Sequence, residues 1–153
     1  MSSELTLPPT GRSALGKRFT AENRNGGLVL QKCAACGQVQ YPPREICVRC
    51  LGDALNWEKI DTRGRLLSWT EVSASLEPAF QSAGHWPIGL VRLDAGPRLY
   101  AFLNVVDPRP DLEVQVQCRV ERGGEVVLIA NTPGHAGSLR PPLNRLFSGE
   151  DHD

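Results

Sequence analysis

The sequence predicts a mainly β protein, in which a short N-terminal helix and a small cysteine module precede a five-stranded barrel. Three observations carry that reading. Two C-x-x-C pairs, Cys33/Cys36 and Cys47/Cys50, are separated by ten residues. From residue 63 to residue 130, short runs of β-branched and apolar residues alternate with Gly, Pro and Asp. After residue 60 no helical period of useful length appears.

Residues 1–27 read as an N-terminal extension. Pro8, Pro9 and Gly11 make its start a loose lead-in. A helix is expected over 13–24, with Ser13 capping it, Leu15 and Phe19 on one face, and Asn25-Gly26-Gly27 ending it. Leu28–Leu30 is a short strand entering the cysteine module, which spans 28–60 and closes on a second strand over 54–59. The barrel is expected over 61–130. Its strands are Leu66–Ser73, Ile88–Leu93, Leu99–Val106, Val114–Glu121 and Val126–Ala130. Alternation is clearest where Val114, Val116, Cys118 and Val120 face inward and Gln115, Gln117, Arg119 and Glu121 outward. Gly123-Gly124 then turns the chain into Val126-Val127-Leu128-Ile129, a hairpin signal. Five short strands with one longer connection, residues 76–87, suit a Greek-key barrel of the OB type. Residues 131–153 form a C-terminal tail whose role the sequence leaves open.

The chain has 153 residues and a formal net charge of zero, so no whole-chain field selects a polyanion. The barrel segment 61–130 carries seven basic and nine acidic side chains. No apolar run reaches membrane-spanning length. The first residues lack the basic start and apolar core of a signal peptide, which places the expectation in the cytoplasm. In a reducing compartment, paired C-x-x-C spacing points to metal before disulfide.

Two residues between cysteines let a tight turn aim both sulfurs at one point, and a glycine close behind each pair, Gly37 and Gly52, supports the turn. Two such knuckles complete a tetrahedral S₄ shell from Cys33, Cys36, Cys47 and Cys50, which suits one Zn²⁺. Four thiolates leave no position for water, so the expected role is structural. A mononuclear iron site of rubredoxin type uses the same ligands and stays open at this point. Cys118, on a valine-rich strand face, reads as a small buried hydrophobe rather than a fifth ligand.

The run Gly27-Leu-Val-Leu-Gln-Lys-Cys-Ala-Ala-Cys-Gly-Gln-Val-Gln-Tyr-Pro-Pro-Arg-Glu-Ile-Cys-Val-Arg-Cys50, with the Trp57 strand and Gly64-Arg-Leu-Leu-Ser-Trp-Thr70, resembles the rubredoxin-type zinc ribbon plus OB-fold proteins of acyl-CoA metabolism. The resemblance covers about residues 14–130 and is most specific over 27–70. It implies a non-catalytic subunit that joins a thiolase-type enzyme as a hetero-oligomer, supports assembly, and stands where it can frame the acyl-CoA entrance. The thiolytic, aldol or acyl-transfer step would belong to the partner.

Two other readings compete. A zinc ribbon with an OB barrel also suits nucleic-acid binding, but that needs a positive track interleaved with exposed aromatics. Here the barrel segment is net acidic, and Trp69, Tyr100 and Phe102 sit in apolar strands. A free-standing enzyme would need a nucleophile–base pair, a phosphate loop or an open metal site, and the sequence offers none. Three aromatics are candidates for a partner or ligand face. Tyr41 belongs to the ribbon's apolar trim, and Phe80 and Trp86 lie in the long 76–87 connection. The plainer reading of Phe80 and Trp86 is a plug for the barrel's open end. Arg44 and Arg65 read as solvated surface arginines.

Overall fold

The structure is a computed structural model that describes residues 11–73, 75–81, 84–135 and 137–147. Helix α1 spans Ala14–Asn23, and the Ser13 hydroxyl accepts from the Gly16 N–H at 3.1 Å, as an N-cap should. Gly26 and Gly27 both take positive φ and turn the chain out of the helix. The inward face of α1 holds Phe19, Thr20 and Asn23, all buried, while Leu15 is half-buried.

Three strands make the first sheet: β1 (Val29–Cys33), β2 (Val39–Gln40) and β3 (Leu55–Lys59), in the order β2-β1-β3. The sequence reading has no β2. Two residues are too few to show a period, and their strand character comes from pairing, Gln31 with Gln40 and Lys32 with Val39.

The second sheet is the expected closed barrel. Its strands are β4 (Arg63–Val72), β5 (Trp86–Leu93), β6 (Arg98–Asn104), β7 (Glu113–Val120) and β8 (Val126–Asn131). They run β4-β5-β6-β8-β7, and β7 returns to β4. Every pairing is antiparallel except β6 with β8, which fixes the Greek-key path. Leu66, Val91, Leu93, Leu99, Leu103, Val114, Val116, Cys118, Val126 and Leu128 fill the interior. Gly89 is part of that packing, because a Cβ there would sit 2.7 Å from Leu66 Cδ1. Gly64 is tighter still: its Cβ would meet the Arg92 carbonyl oxygen at 2.6 Å.

The β7–β8 hairpin departs from simple alternation at Glu121. Expected outward, it is buried at 5% exposure. Its carboxylate accepts from the N–H groups of Gly123 and Glu125, both at 2.7 Å. A charged side chain goes inside here because the turn supplies two donors to it.

Barrel and ribbon share one core. Phe19, Leu28, Leu30 and Val39 join the barrel's cluster, with Tyr41, Trp57 and Ile60 packed against it. A backbone bond continues the contact: Cys118 N–H of the barrel donates to Gly27 O, just before the ribbon, at 3.2 Å. The helix is tied to the hairpin by Arg12, 2.9 Å from the Glu125 carboxylate, which also accepts from the Thr20 hydroxyl at 2.8 Å.

The connection from β4 to β5 contains a four-residue helix, α2 (Pro78–Gln81). Trp86 is not in this loop, as the sequence suggests, but is the first residue of β5, paired with Val72. A short 3₁₀ turn, Leu143–Leu146, lies in the segment left open by the sequence. Its Leu143 and Leu146 form a second core cluster with Trp86, against which Val72, Phe80, Phe102, Leu139 and Phe147 pack.

Candidate metal centre

The ends of β1 and two tight turns bring the four cysteines together. In the first knuckle Cys33 N–H donates to Gln38 O at 2.9 Å, and Gly37 N–H donates back to Cys33 O at 2.8 Å. Gly37 has φ 75°, a left-handed position that glycine fills without strain. The second knuckle repeats the bonds, with Leu51 N–H donating to Cys47 O at 3.0 Å and Cys47 N–H to Gly52 O at 2.7 Å. Here the left-handed residue is Leu51, φ 61°, and not the glycine that the sequence suggests. Gly52 has a different use: a Cβ there would lie 3.5 Å from Cys50 Sγ.

The four Sγ atoms all lie within 4.8 Å of one another. Cys33 to Cys50 and Cys36 to Cys47 are both 3.6 Å apart. Zn–S bonds of about 2.3 Å give a tetrahedron with edges of about 3.8 Å, so the sulfurs are placed for one zinc ion. Cys33 and Cys47 are buried, Cys36 is half-buried and Cys50 is exposed. The backbone N–H groups of Cys50 and Arg49 pull the Cys47 thiol down to about 6. At Cys36 the Gln38 backbone bond acts downward, but burial and the other three thiols win and push it up to about 11. Four like groups at this spacing resist losing all their protons until a cation binds.

Two buried glutamines, which the sequence reading passes over, hold the connector between the knuckles. Gln31 Oε1 accepts from Arg44 N–H at 2.8 Å and from Gln40 Nε2 at 3.0 Å, while Gln31 Nε2 donates to Arg44 O at 2.9 Å. Gln40 Oε1 accepts from Val48 N–H at 3.0 Å, next to Cys47. Their only sequence signal is a polar residue at an inward strand position.

The candidate partner-face aromatics are not together. Tyr41 is half-buried against Phe19, ring centroids 5.6 Å apart, so most of the ribbon's aromatic trim packs within the chain. Trp86 is 3% exposed. Its indole N–H donates to Phe80 O at 2.9 Å, and the two rings meet edge to face at 5.0 Å. Phe80 and Trp86 therefore pack against Phe102 and under the Leu143–Leu146 turn, because an indole has more apolar area to bury than a solvated loop can cover. Among the described residues the large exposed apolar side chains lie elsewhere: Ile46, Val48 and Leu51 on the second knuckle, Trp69 at the barrel mouth, Tyr100 on the barrel's outer face, and Leu76 and Val106 in loops.

Two of the barrel aromatics are more open to solvent than the sequence suggests. Trp69 is 40% and Tyr100 70% exposed, so these aromatics are not hidden in apolar strands. They belong to different surfaces. Trp69 borders a hollow of about 530 Å³ at the barrel mouth, with His85, Val105, Asp107 and Arg140.

Cys118 is 3% exposed, and burial pushes its thiol up to about 12. Among the described residues no helix is long and apolar enough to cross a membrane.

Comparison with known proteins agrees with this geometry. Residues 24–56 match the rubredoxin-like zinc ribbon domain of ChsH2, and residues 57–126 match the ChsH2 C-terminal OB-fold domain. A curated relative, the "Probable enoyl-CoA hydratase alpha subunit" of Thermomonospora curvata, is 31% identical over 103 residues, which are 66% of this chain. The matched region spans only 28% of that relative's length. A solved structure described as "Ltp2-ChsH2(DUF35) aldolase" superposes with a TM-score of 0.64 at 20% identity, covering 82% of this chain and 98% of the other. With four cysteines placed for one structural zinc and an OB barrel that shares the ribbon's core, this chain belongs to the ChsH2 family of rubredoxin-like zinc ribbon plus OB-fold proteins.

Proposed function

We propose that this protein is an accessory, non-catalytic subunit that associates with a thiolase-type enzyme of acyl-CoA metabolism. The observation that carries the reading is the two-domain family match in a chain whose metal site is closed. Four sulfurs at tetrahedral spacing leave zinc no position for water or substrate, so the ion supplies folding energy rather than Lewis acidity. The similar structure bears the description of an aldolase, and the curated relative that of a probable enoyl-CoA hydratase alpha subunit. The enoyl-CoA hydratase name of the curated relative supports a role in acyl-CoA metabolism, and the aldolase name of the similar structure supports work beside an enzyme.

The chain's other reactive groups support the same reading. Cys118 is buried and protonated, far from serving as a nucleophile. His85 and His135 are exposed, and among the described residues the one side-chain hydrogen bond of either is His135 Nδ1 with Pro133 O at 3.3 Å. Among the described residues neither imidazole is hydrogen-bonded to a hydroxyl, thiol or carboxylate. The partner therefore provides the reacting residues, and this subunit supports its assembly and borders the acyl-CoA entrance.

The test is to express the chain with and without thiolase-type proteins from the same genome and to identify what co-elutes. The reading expects a stable complex with one of them. A chain that remains alone with every such protein contradicts it.

A further inference from the structure

The outer face of the barrel carries an arrangement that packing within the chain does not explain. Three rows cross strands β4, β5 and β6. Arg65 pairs with Arg92, and Arg92 with Arg98. The next row is Ser68, Leu90 and Tyr100, and the one after it Thr70, Ile88 and Phe102. Alternate residues of a strand point the same way, and the register shift between Leu66 and Ser68 brings Ser68 and Thr70 to the face of Arg65, so these nine side chains lie on one side of the sheet, with Phe102 partly covered by Phe80 and Trp86.

The arginine row spans about 10 Å across three strands. Like charges directly opposite one another on neighbouring strands are destabilising. Arg65 is partly compensated: it donates to Asp111 O at 3.2 Å and lies opposite Glu113 on β7. Arg92 and Arg98 are exposed and have no carboxylate or hydrogen-bond partner among the described residues. Immediately beside them stands Tyr100, 70% exposed, with half-buried Leu90 across the strand. Tyr100, Ile88, Phe102 and Val127 continue into a hollow of about 230 Å³ whose far rim is Arg12 and Tyr41. An apolar centre with a tyrosine, bordered by arginine and without lysine, has the composition of a protein interface.

We propose that this face, centred on Tyr100, docks an apolar strip of the thiolase-type subunit flanked by carboxylates. The carboxylates pair with Arg92 and Arg98. The inference rests on the function proposed above and assigns the surface through which it acts. Guanidinium and carboxylate match in bidentate geometry, and the pairing relieves the repulsion along the row. A second copy of this chain is a poorer occupant, because none of the nine residues is acidic and a self-contact leaves the arginines unpaired. Single-stranded nucleic acid needs positive charge along its track, whereas the unpaired charge here is confined to Arg92 and Arg98 at one end, and Arg12 on the far rim is paired with Glu125.

The experiment measures association of the zinc-loaded full chain with its co-eluting thiolase-type subunit. It uses wild type, the Arg92→Glu/Arg98→Glu double variant, Tyr100→Ser, and Ile46→Ser on the ribbon as a control. All four sites are exposed, so melting temperature reports whether a variant still folds. The expected result is an affinity loss of about 100-fold for the double variant, mostly in association rate and sensitive to salt, and of about 10-fold or more for Tyr100→Ser. Ile46→Ser should bind as wild type does. Wild-type affinity in both face variants overturns the surface while leaving the proposed function standing, and the more so if Ile46→Ser fails to bind. Absence of wild-type association overturns both. Binding of a single-stranded oligonucleotide that the double variant loses would assign the face to nucleic acid instead.

Discussion

Asn23 completes the edge of strand β1 with its side chain. Its Oδ1 accepts from the Val29 N–H at 2.7 Å, while its Nδ2 donates to the Val29 carbonyl at 3.0 Å and to Phe19 O at 2.9 Å. One fully buried carboxamide thus joins the end of α1 to the strand that delivers Cys33.

Replacing Asn23 by Ala leaves buried backbone groups unpaired and should cost about 1–3 kcal/mol. Asn23→Asp should cost at least as much, because a carboxylate cannot donate to the Phe19 and Val29 carbonyls. Chemical denaturation of both variants measures the loss. Wild-type stability in either would contradict the bridging role.

Trp86 is the centre of the second core cluster, and Trp86→Ala should destabilise the chain by about 3–5 kcal/mol. Leu143→Ala should also destabilise it, by about 2–5 kcal/mol. The residues touch in one cluster, so their effects should be non-additive. Thermal melting of the two single variants and the double variant tests this. Intact melting with lost partner association would return Trp86 to the interface role considered from sequence.

Burial raises the Cys118 thiol to about 12, above the ordinary value near 9. The sign is clear: below about 12 the group stays protonated in the folded chain, and only a thiolate attacks an alkylating reagent. At pH 8, Cys118 should resist alkylation while folded and react once denatured, as mass spectrometry of the labelled peptide would show. Rapid labelling of the native chain at that pH would mean that the strand opens.

One zinc per chain is expected on metal analysis, and Cys36→Ser or Cys47→Ser should lose the metal and unfold the ribbon. Gln40→Ala should weaken zinc binding by about 10-fold while keeping all four ligands, because it frees the connector at Val48. Competition with a chromophoric chelator gives both values. Stoichiometric iron, or a folded ribbon without metal, would contradict the account.

Local chemistry made much of this fold readable. Ligand spacing announces the metal site, Ser13 and the paired glycines mark the helix, and period-2 alternation marks β7. What sequence could not show depends on contacts between distant residues. The two-residue strand β2 exists through its pairing with β1. Glu121 is buried because its own turn solvates it. Trp86 looks like a loop anchor until Leu143 and Leu146, more than fifty residues later, cover it. The arginine row is likewise invisible in sequence. Arg65, Arg92 and Arg98 become neighbours only when β4, β5 and β6 pair in register.

The central claim is that this chain acts through a partner and not alone. The most direct measurement is acyl-CoA turnover, assayed for the purified zinc-loaded chain, for its co-eluting thiolase-type subunit, and for the complex. The account predicts no turnover by the chain, and activity in the complex that falls when the chain is removed and returns when it is added back. Turnover by the isolated chain, or a partner equally active without it, would contradict the account.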